Sequence, residues 1–169
     1  WPYVRVYKRT VRGNRFVAAP METRGVLASY ERAEEKLTVW TSTQVPELVR
    51  MQIATALDFP TQNLRVVAPH VGGGFGQKLA AFPEDVVISF LALQLGRPVR
   101  WIEDRRENLT GALHAKQQVI EVEAALDNDG TLLALRASCN GDAGAYSCAG
   151  TSALIEPWYA AAMMPGVYR

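Results

Sequence analysis

Alternation of apolar and polar positions dominates the first forty residues. Tyr3–Tyr7, Arg15–Ala18, Gly25–Tyr30 and Lys36–Thr41 are β-branched or aromatic runs separated by polar or glycine turns, and each predicts a strand. The period then changes. From Val45 to Phe59, Leu48, Met51, Ile53 and Leu57 recur near one face of a helix. Pro46 sits near its start, where a missing N–H costs little, and Pro60 stops it. Leu64–Ala68 is again β-rich. Pro83-Glu84-Asp85 marks a second helix start, with proline first and acids at the positive end of the dipole. Val86, Val87, Phe90, Leu91 and Leu95 form its apolar face. The span is apolar nearly all round, which predicts a well-buried helix ended by Gly96 and Pro98. Val99–Ile102 predicts a short strand, and Gln118–Leu126 meets Thr131–Ala137 in a hairpin across Asp127-Asn-Asp-Gly130. From Gly141 onward, glycine, serine and alanine predict loop and irregular helix. Strands and helices mix without strict βαβ alternation, which favours an α+β fold of mixed sheets with packed helices.

Composition adds bounds. A chain of 169 residues with 49% hydrophobic content can bury a core, and one domain spanning 1–169 is the expectation. The net charge of +1 is interspersed and gives no sign of a nucleic-acid or polyanion surface. No apolar run approaches the roughly 18 residues of a membrane span, and the N-terminus carries no signal-peptide pattern. Cys139 and Cys148 fit no CxxC metal or redox spacing, so both are expected as small buried hydrophobes. With Trp1 at one end and Tyr168-Arg169 at the other, the chain is expected to be a piece of something larger.

Chemistry concentrates in Pro69–Lys78, PHVGGGFGQK. The β-run before it feeds four glycines within five positions, Gly72, Gly73, Gly74 and Gly76, interrupted by Phe75. Glycine lacks a Cβ, so such a loop reaches φ > 0 and brings backbone N–H groups up to a ligand. The bland alternative is a tight strand-to-helix turn without a ligand. Two common phosphate motifs fail here. GxGxxG has its first two glycines at Gly72 and Gly74 but then meets Gln77; GxxxxGK[ST] has Lys78 but Gln77 for its second glycine and Leu79 for its hydroxyl.

GGGFGxK after a strand resembles the large-subunit signature of the molybdenum hydroxylases, the xanthine dehydrogenase, aldehyde oxidase and aerobic carbon monoxide dehydrogenase group. Trp40-Thr-Ser-Thr-Gln44 followed by Pro46 is similar to that family's STQ segment. Gly96–Trp101 with Glu103-Asp-Arg105 and Glu107-Asn-Leu109 is similar to its GRPV(R/K)-x-x-x-DR-x-E segment. Ala19-Pro-Met-Glu22 is similar to its APMEP segment, with Thr23 in place of proline. The motifs occur in order and cover the chain from about Asn14 onward.

The resemblance implies the first molybdenum-cofactor domain of an oxidoreductase large subunit. The whole protein would hydroxylate aldehydes, heterocycles or similar small molecules with water as oxygen source, or oxidise carbon monoxide. The cofactor implied is a molybdopterin-type molybdenum cofactor in its cytosine dinucleotide form. Gln44, Gly73, Gly74, Phe75 and Gly76 would bind it, with Gln44 and Phe75 near the molybdenum but neither a metal ligand. Amides from Gly74 to Gly76 would serve as donors, on the logic of an oxyanion site. Catalytic residues are expected outside these 169 positions, so this stretch alone would be inactive. The partners implied are an iron–sulfur small subunit with [2Fe–2S] clusters and an FAD-binding medium subunit, in a cytoplasmic dimer of heterotrimers, with no nucleic acid and no membrane. Leu79 stands where xanthine-oxidising members carry a purine-binding glutamate, which disfavours purines. Bland readings hold elsewhere: Gln44 as a helix cap, His70 and His114 as structural or surface residues, Glu103, Asp104 and Glu107 as an ion-pair network with Arg105 and Arg106, and Trp158 and Tyr159 as packing residues. Asp142 and Tyr146 are weaker candidates for a cofactor channel. Two other functions remain open: a non-catalytic module binding a nucleotide or protein through the glycine loop, and a truncated structural relic. An AFRG-like loop and a terminal glutamate motif encoded beyond Arg169 would separate them from the enzyme.

Overall fold

The computed structural model describes residues 4–115, 117–142, 144, 152–164 and 166, with backbone only at 152–156. Along the chain come β1 (Arg5–Gly13), β2 (Phe16–Val17), β3 (Gly25–Glu31), β4 (Lys36–Thr41), α1 (Pro46–Leu57) and β5 (Leu64–Val67). Then follow α2 (Pro83–Leu95), β6 (Val99–Ile102), α3 (Arg105–Gly111), β7 (His114–Ala115), β8 (Gln118–Leu126), β9 (Leu132–Gly141) and α4 (Ser152–Met163). They form two compact units, one of residues 17–113 and one of residues 1–16 with 114–169. The α+β reading holds.

In the unit of residues 17–113, four strands pair in the order β5-β4-β3-β6. β3 is antiparallel to both β4 and β6, while β5 returns parallel to β4 after the α1 crossover. Strand alternation puts Val26, Ala28, Leu37, Val39 and Leu64 on one face, where Val49, Ile53 and Ala54 of α1 and Ile88 and Ala92 of α2 close the core. Pro46 and Pro83 occupy the first turns of their helices, as their fixed φ favours, and Gly96 ends α2 at φ +60°.

The buried face of α2 matches the expected one only in part: Val86 and Leu91 pack against the core as expected. Asp85, Ile88, Ser89 and Ala92 face inward, whereas Val87, Phe90 and Leu95 are about half exposed. A helix apolar on every side carries no periodic signal, so the small residues that permit close approach decide its orientation. Asp85 also closes the helix start, accepting the Phe82 N–H at 2.8 Å and the Thr41 hydroxyl at 2.7 Å. Burial pushes its carboxyl above the usual aspartate range against those hydrogen bonds.

α3 was not expected. Asp104 accepts the Glu107 N–H and Glu107 accepts the Asp104 N–H, each at 2.8 Å, a reciprocal cap that nucleates the helix. The acids therefore do not pair with Arg105 and Arg106. Asp104 and Glu107 cap the helix, Glu103 reaches across the sheet to Arg24, and Arg105 donates to the carbonyls of Pro20 and Met21.

The other unit is a three-stranded antiparallel sheet, β1-β8-β9, with α4 packed on β9. β1 runs to Gly13, beyond the expected Tyr7, because β8 pairs along its whole length. The hairpin forms as expected: Asp127 Oδ1 accepts the N–H groups of Asp129 and Thr131, and Gly130 takes φ +85°.

Candidate functional site

The glycine loop leaves the end of β5, and segments far apart in sequence hold it at both ends. At its start, the Gly72 N–H donates to Glu22 Oε2 at 2.8 Å, and the Glu22 N–H donates to the Gly72 carbonyl at 3.2 Å. A Cβ at Gly72 would meet Glu22 Cβ at 2.6 Å, so only glycine allows this approach. At its far end, Gln44 Oε1 accepts the N–H groups of Gly76 at 3.0 Å and Lys78 at 3.3 Å. The Lys78 carbonyl accepts the Gln44 N–H at 3.0 Å and the Thr43 hydroxyl at 3.2 Å. Gln44 is thus no helix cap; the Val45 N–H donates to Thr43 Oγ1 instead. With its oxygen committed to the loop, the Gln44 amide nitrogen makes no hydrogen bond among the described residues.

Inside this frame the backbone takes an unusual path. Gly73 and Gly76 have φ of +98° and +87°, and Phe75 sits between them at φ +51°. A left-handed conformation costs a non-glycine residue roughly 1–2 kcal/mol. The Phe75 ring lies over Gly73, where an added Cβ would meet Phe75 Cε2 at 2.8 Å. Gly74 is buried against the Gln44 side chain, leaving no room for a Cβ. Phe75 is 74% exposed and takes no part in the core. Among the described residues, the amides of Gly73, Gly74 and Phe75 make no hydrogen bond. The Gly76 amide, expected as a ligand donor, is used by Gln44.

Lys78, the residue behind the failed phosphate motif, is turned inward and only 1% exposed. Its ammonium donates to Glu22 Oε2 (2.9 Å), the Glu22 carbonyl (3.0 Å) and Ser42 Oγ (2.6 Å). Ser42 in turn donates to Glu22 Oε2 at 2.6 Å. Burial pushes the Glu22 carboxyl up, but hydrogen bonds from Ser42, Lys78 and Gly72 outweigh it and hold it below the usual glutamate range. Gln77, also buried, accepts from Asn108 Nδ2 at 3.1 Å, and Asn108 Nδ2 lies 2.7 Å from Glu103 Oε2. Sequence reasoning singled out neither Glu22 nor Ser42 as a partner of Lys78. No periodic pattern links an ammonium to a carboxylate 56 positions away.

The remaining candidates make none of the hydrogen bonds that hold the loop. His70 and His114 are exposed, Cys139 is half-buried, and Asp142 pairs with Arg15 at 3.2 Å. Trp158 and Tyr159 are exposed rather than packed in a core. Tyr146 and Cys148 fall outside the described residues. Among the described residues no three His, Cys, Asp or Glu side chains could hold a metal ion, and no helix is long and apolar enough to cross a membrane.

The profile of the molybdopterin cofactor-binding domain matches residues 3–169. The chain is 42% identical over 155 residues to the nicotine 6-hydroxylase large subunit of Paenarthrobacter nicotinovorans, covering 91% of this chain and 19% of that protein. It is 37% identical over 131 residues to the carbon monoxide dehydrogenase large chain of Hydrogenophaga pseudoflava, covering 77% and 16%. The crystal structure of quinoline 2-oxidoreductase from Pseudomonas putida 86 matches with a TM-score of 0.89 at 44% identity, covering 97% of this chain and 21% of that one. The chain therefore spans about a fifth of the length of such relatives. The glycine loop, the STQ segment and the APME segment that meet in this structure, together with the profile match, place the chain in the molybdopterin cofactor-binding domain family, within the large subunits of the molybdenum hydroxylases.

Proposed function

We propose that this chain forms one wall of a molybdenum-cofactor site in an oxidoreductase that oxidises a ring carbon of an aromatic nitrogen heterocycle. The observation that carries the reading is the loop itself: three unengaged amides and an exposed, left-handed Phe75 ring, framed by Gln44. That donor set suits a polar ligand rich in acceptor oxygens and sulfurs, as a molybdopterin is, without adding charge. When bound, the cofactor supplies the two-electron redox centre, and a cytosine dinucleotide form is our reading of its type. The roles proposed for this chain are local. Gly73, Gly74 and Phe75 offer N–H donors, Gly76 completes the turn, and Gln44 points its spare amide nitrogen to a ligand. The Phe75 ring excludes water beside them.

The substrate class is favoured by two relatives above 40% identity whose names specify nicotine and quinoline. Leu79, half-buried beside Gly76, offers apolar contact where a purine would need a hydrogen-bond acceptor. Carbon monoxide is the second reading, supported by the match to a carbon monoxide dehydrogenase large chain. Iron–sulfur and FAD subunits would carry the electrons away in a cytoplasmic assembly of paired heterotrimers, and residues 1–169 alone would show no turnover. Steady-state kinetics of the full-length enzyme on quinoline, nicotine, an aromatic aldehyde, xanthine and carbon monoxide test this. We expect the highest kcat/KM for a heterocycle other than xanthine; xanthine or carbon monoxide as best substrate would overturn the substrate reading.

Phe75→Ala separates a ligand-facing ring from a core ring. A packed Phe→Ala truncation costs about 3–5 kcal/mol, whereas an exposed ring should change stability by no more than about 0.5 kcal/mol. We expect a near-normal melting temperature with reduced molybdenum content and turnover. A melting loss of core size with unchanged molybdenum would reverse the assignment.

A further inference from the structure

We propose that Glu22 and the buried Lys78 act as a positioning clamp for the glycine loop, rather than Lys78 serving as a ligand-binding cation. A lysine directly after a glycine loop invites the opposite assignment, since in phosphate-binding loops that residue reaches the ligand. Here all three ammonium protons are spent inside the protein, on the Glu22 carboxylate, the Glu22 carbonyl and Ser42 Oγ. The carboxylate oxygen that meets Lys78 also takes the Gly72 N–H, so one charge pair grips both ends of the loop at once. Ser42 closes the ring by donating to that same oxygen, and it lies two residues before Gln44. The clamp therefore sets the spacing between the loop's start, its end and the segment carrying Gln44. The geometric result is that Gly72, Gly76 and Lys78 amides are consumed in holding the loop while those of Gly73, Gly74 and Phe75 stay unengaged. Burial of one partner matters to this role: the Lys78 side chain is 1% exposed while that of Glu22 is 39% exposed, so the enclosed ammonium cannot leave its carboxylate for water without staying unpaired inside the protein.

The link from clamp to cofactor loading rests on the function proposed above; the link from clamp to loop geometry does not. Both are read in the full-length large subunit produced with its partners, as Lys78→Met and Glu22→Gln variants. Hydrogen exchange follows peptides covering Gly72–Lys78 and, as internal reference, α2, while elemental analysis gives molybdenum per polypeptide. We expect exchange in the loop to accelerate about tenfold or more in Lys78→Met, with α2 unchanged, as a local opening does. Molybdenum content should fall about fivefold or more, in proportion to the loop's loss of order. Glu22→Gln keeps the side-chain shape and removes the counter-charge; it should show the same pattern more weakly. It also serves if Lys78→Met fails to fold. Loop exchange unchanged in both variants would overturn the clamp, whatever happens to molybdenum, and would return Lys78 to a ligand role. An equal rise in the loop and in α2 would also overturn it, as support of the whole fold. Molybdenum missing from the unaltered protein would end the cofactor reading, while exchange on that same apoprotein would still decide the clamp.

Discussion

Gly74→Ala is expected to lower the molybdenum content of the full-length protein by more than tenfold while leaving its core folded. The added methyl has no space, because Gln44 Oε1, Cδ and Cγ occupy it. Three atoms of one side chain block the position, so Gln44 must move bodily rather than swing a flexible tip. Its Oε1 then releases the N–H groups of Gly76 and Lys78. At about 1 kcal/mol net for each hydrogen bond, roughly 2 kcal/mol of loop order is lost, and about 1.4 kcal/mol already shifts an equilibrium tenfold. Gly111→Ala is the matched control, since a Cβ there meets nothing within 4 Å. Molybdenum per polypeptide and loop hydrogen exchange are the measurements. Normal loading in Gly74→Ala would show that Gln44 does not frame the site.

The second large effect is on folding. Arg24→Leu is expected to destabilise the protein by about 3–5 kcal/mol, the range for removing one partner of a buried pair. Arg24 is 6% exposed, bridges Glu103 at 2.6 Å and Glu84 at 3.0 Å, and stacks over Phe82 at 3.9 Å. Its removal strands the Glu103 carboxylate, which Asn108 alone then serves from a side chain. The pair's net worth is much smaller than this loss, so Arg24→Met combined with Glu103→Leu should recover most of it.

The pH dependence of that loss has a definite sign. Burial pushes the Glu103 carboxyl up, but Arg24 and Asn108 hydrogen bonds outweigh it and hold the folded-state pKa below the unfolded one. A depressed pKa contributes stability above the unfolded value, and that contribution fades as pH falls through the folded value. Without Arg24, burial dominates and the folded-state pKa rises, so the variant gains relative stability in acid. Denaturant melts at neutral pH and near pH 4 should therefore show the gap between native and Arg24→Leu proteins narrowing in acid. A gap that widens there would remove Glu103 as the cause. Asp85 works in the same direction in both proteins. Its raised pKa contributes stability below the unfolded value that is lost as pH rises through the folded one.

The two effects meet in one chain of contacts. Glu103 joins Asn108, Asn108 joins Gln77, and Gln77 stands beside Lys78 in the glycine loop. The ion pair that secures the sheet thus also supports the loop's inner side.

Local signals carried a great deal of this protein. Alternation placed β3 and β4 and the β8–β9 hairpin, and proline with acids placed the start of α2, because those signals act between residues a few positions apart. The glycine loop stood out for the same reason, since backbone freedom is a property of single residues. Asp104 and Glu107 carried an equally local capping signal for α3, hidden among charges that suggested ion pairs. Tertiary structure alone settled three matters. It chose the buried face of α2, where uniform apolarity left small residues to set the approach. It chose Arg24 as partner of Glu103, 79 positions away, over the adjacent arginines. It also turned Lys78 inward to Glu22, because a buried ammonium must find its carboxylate wherever the fold brings one within reach.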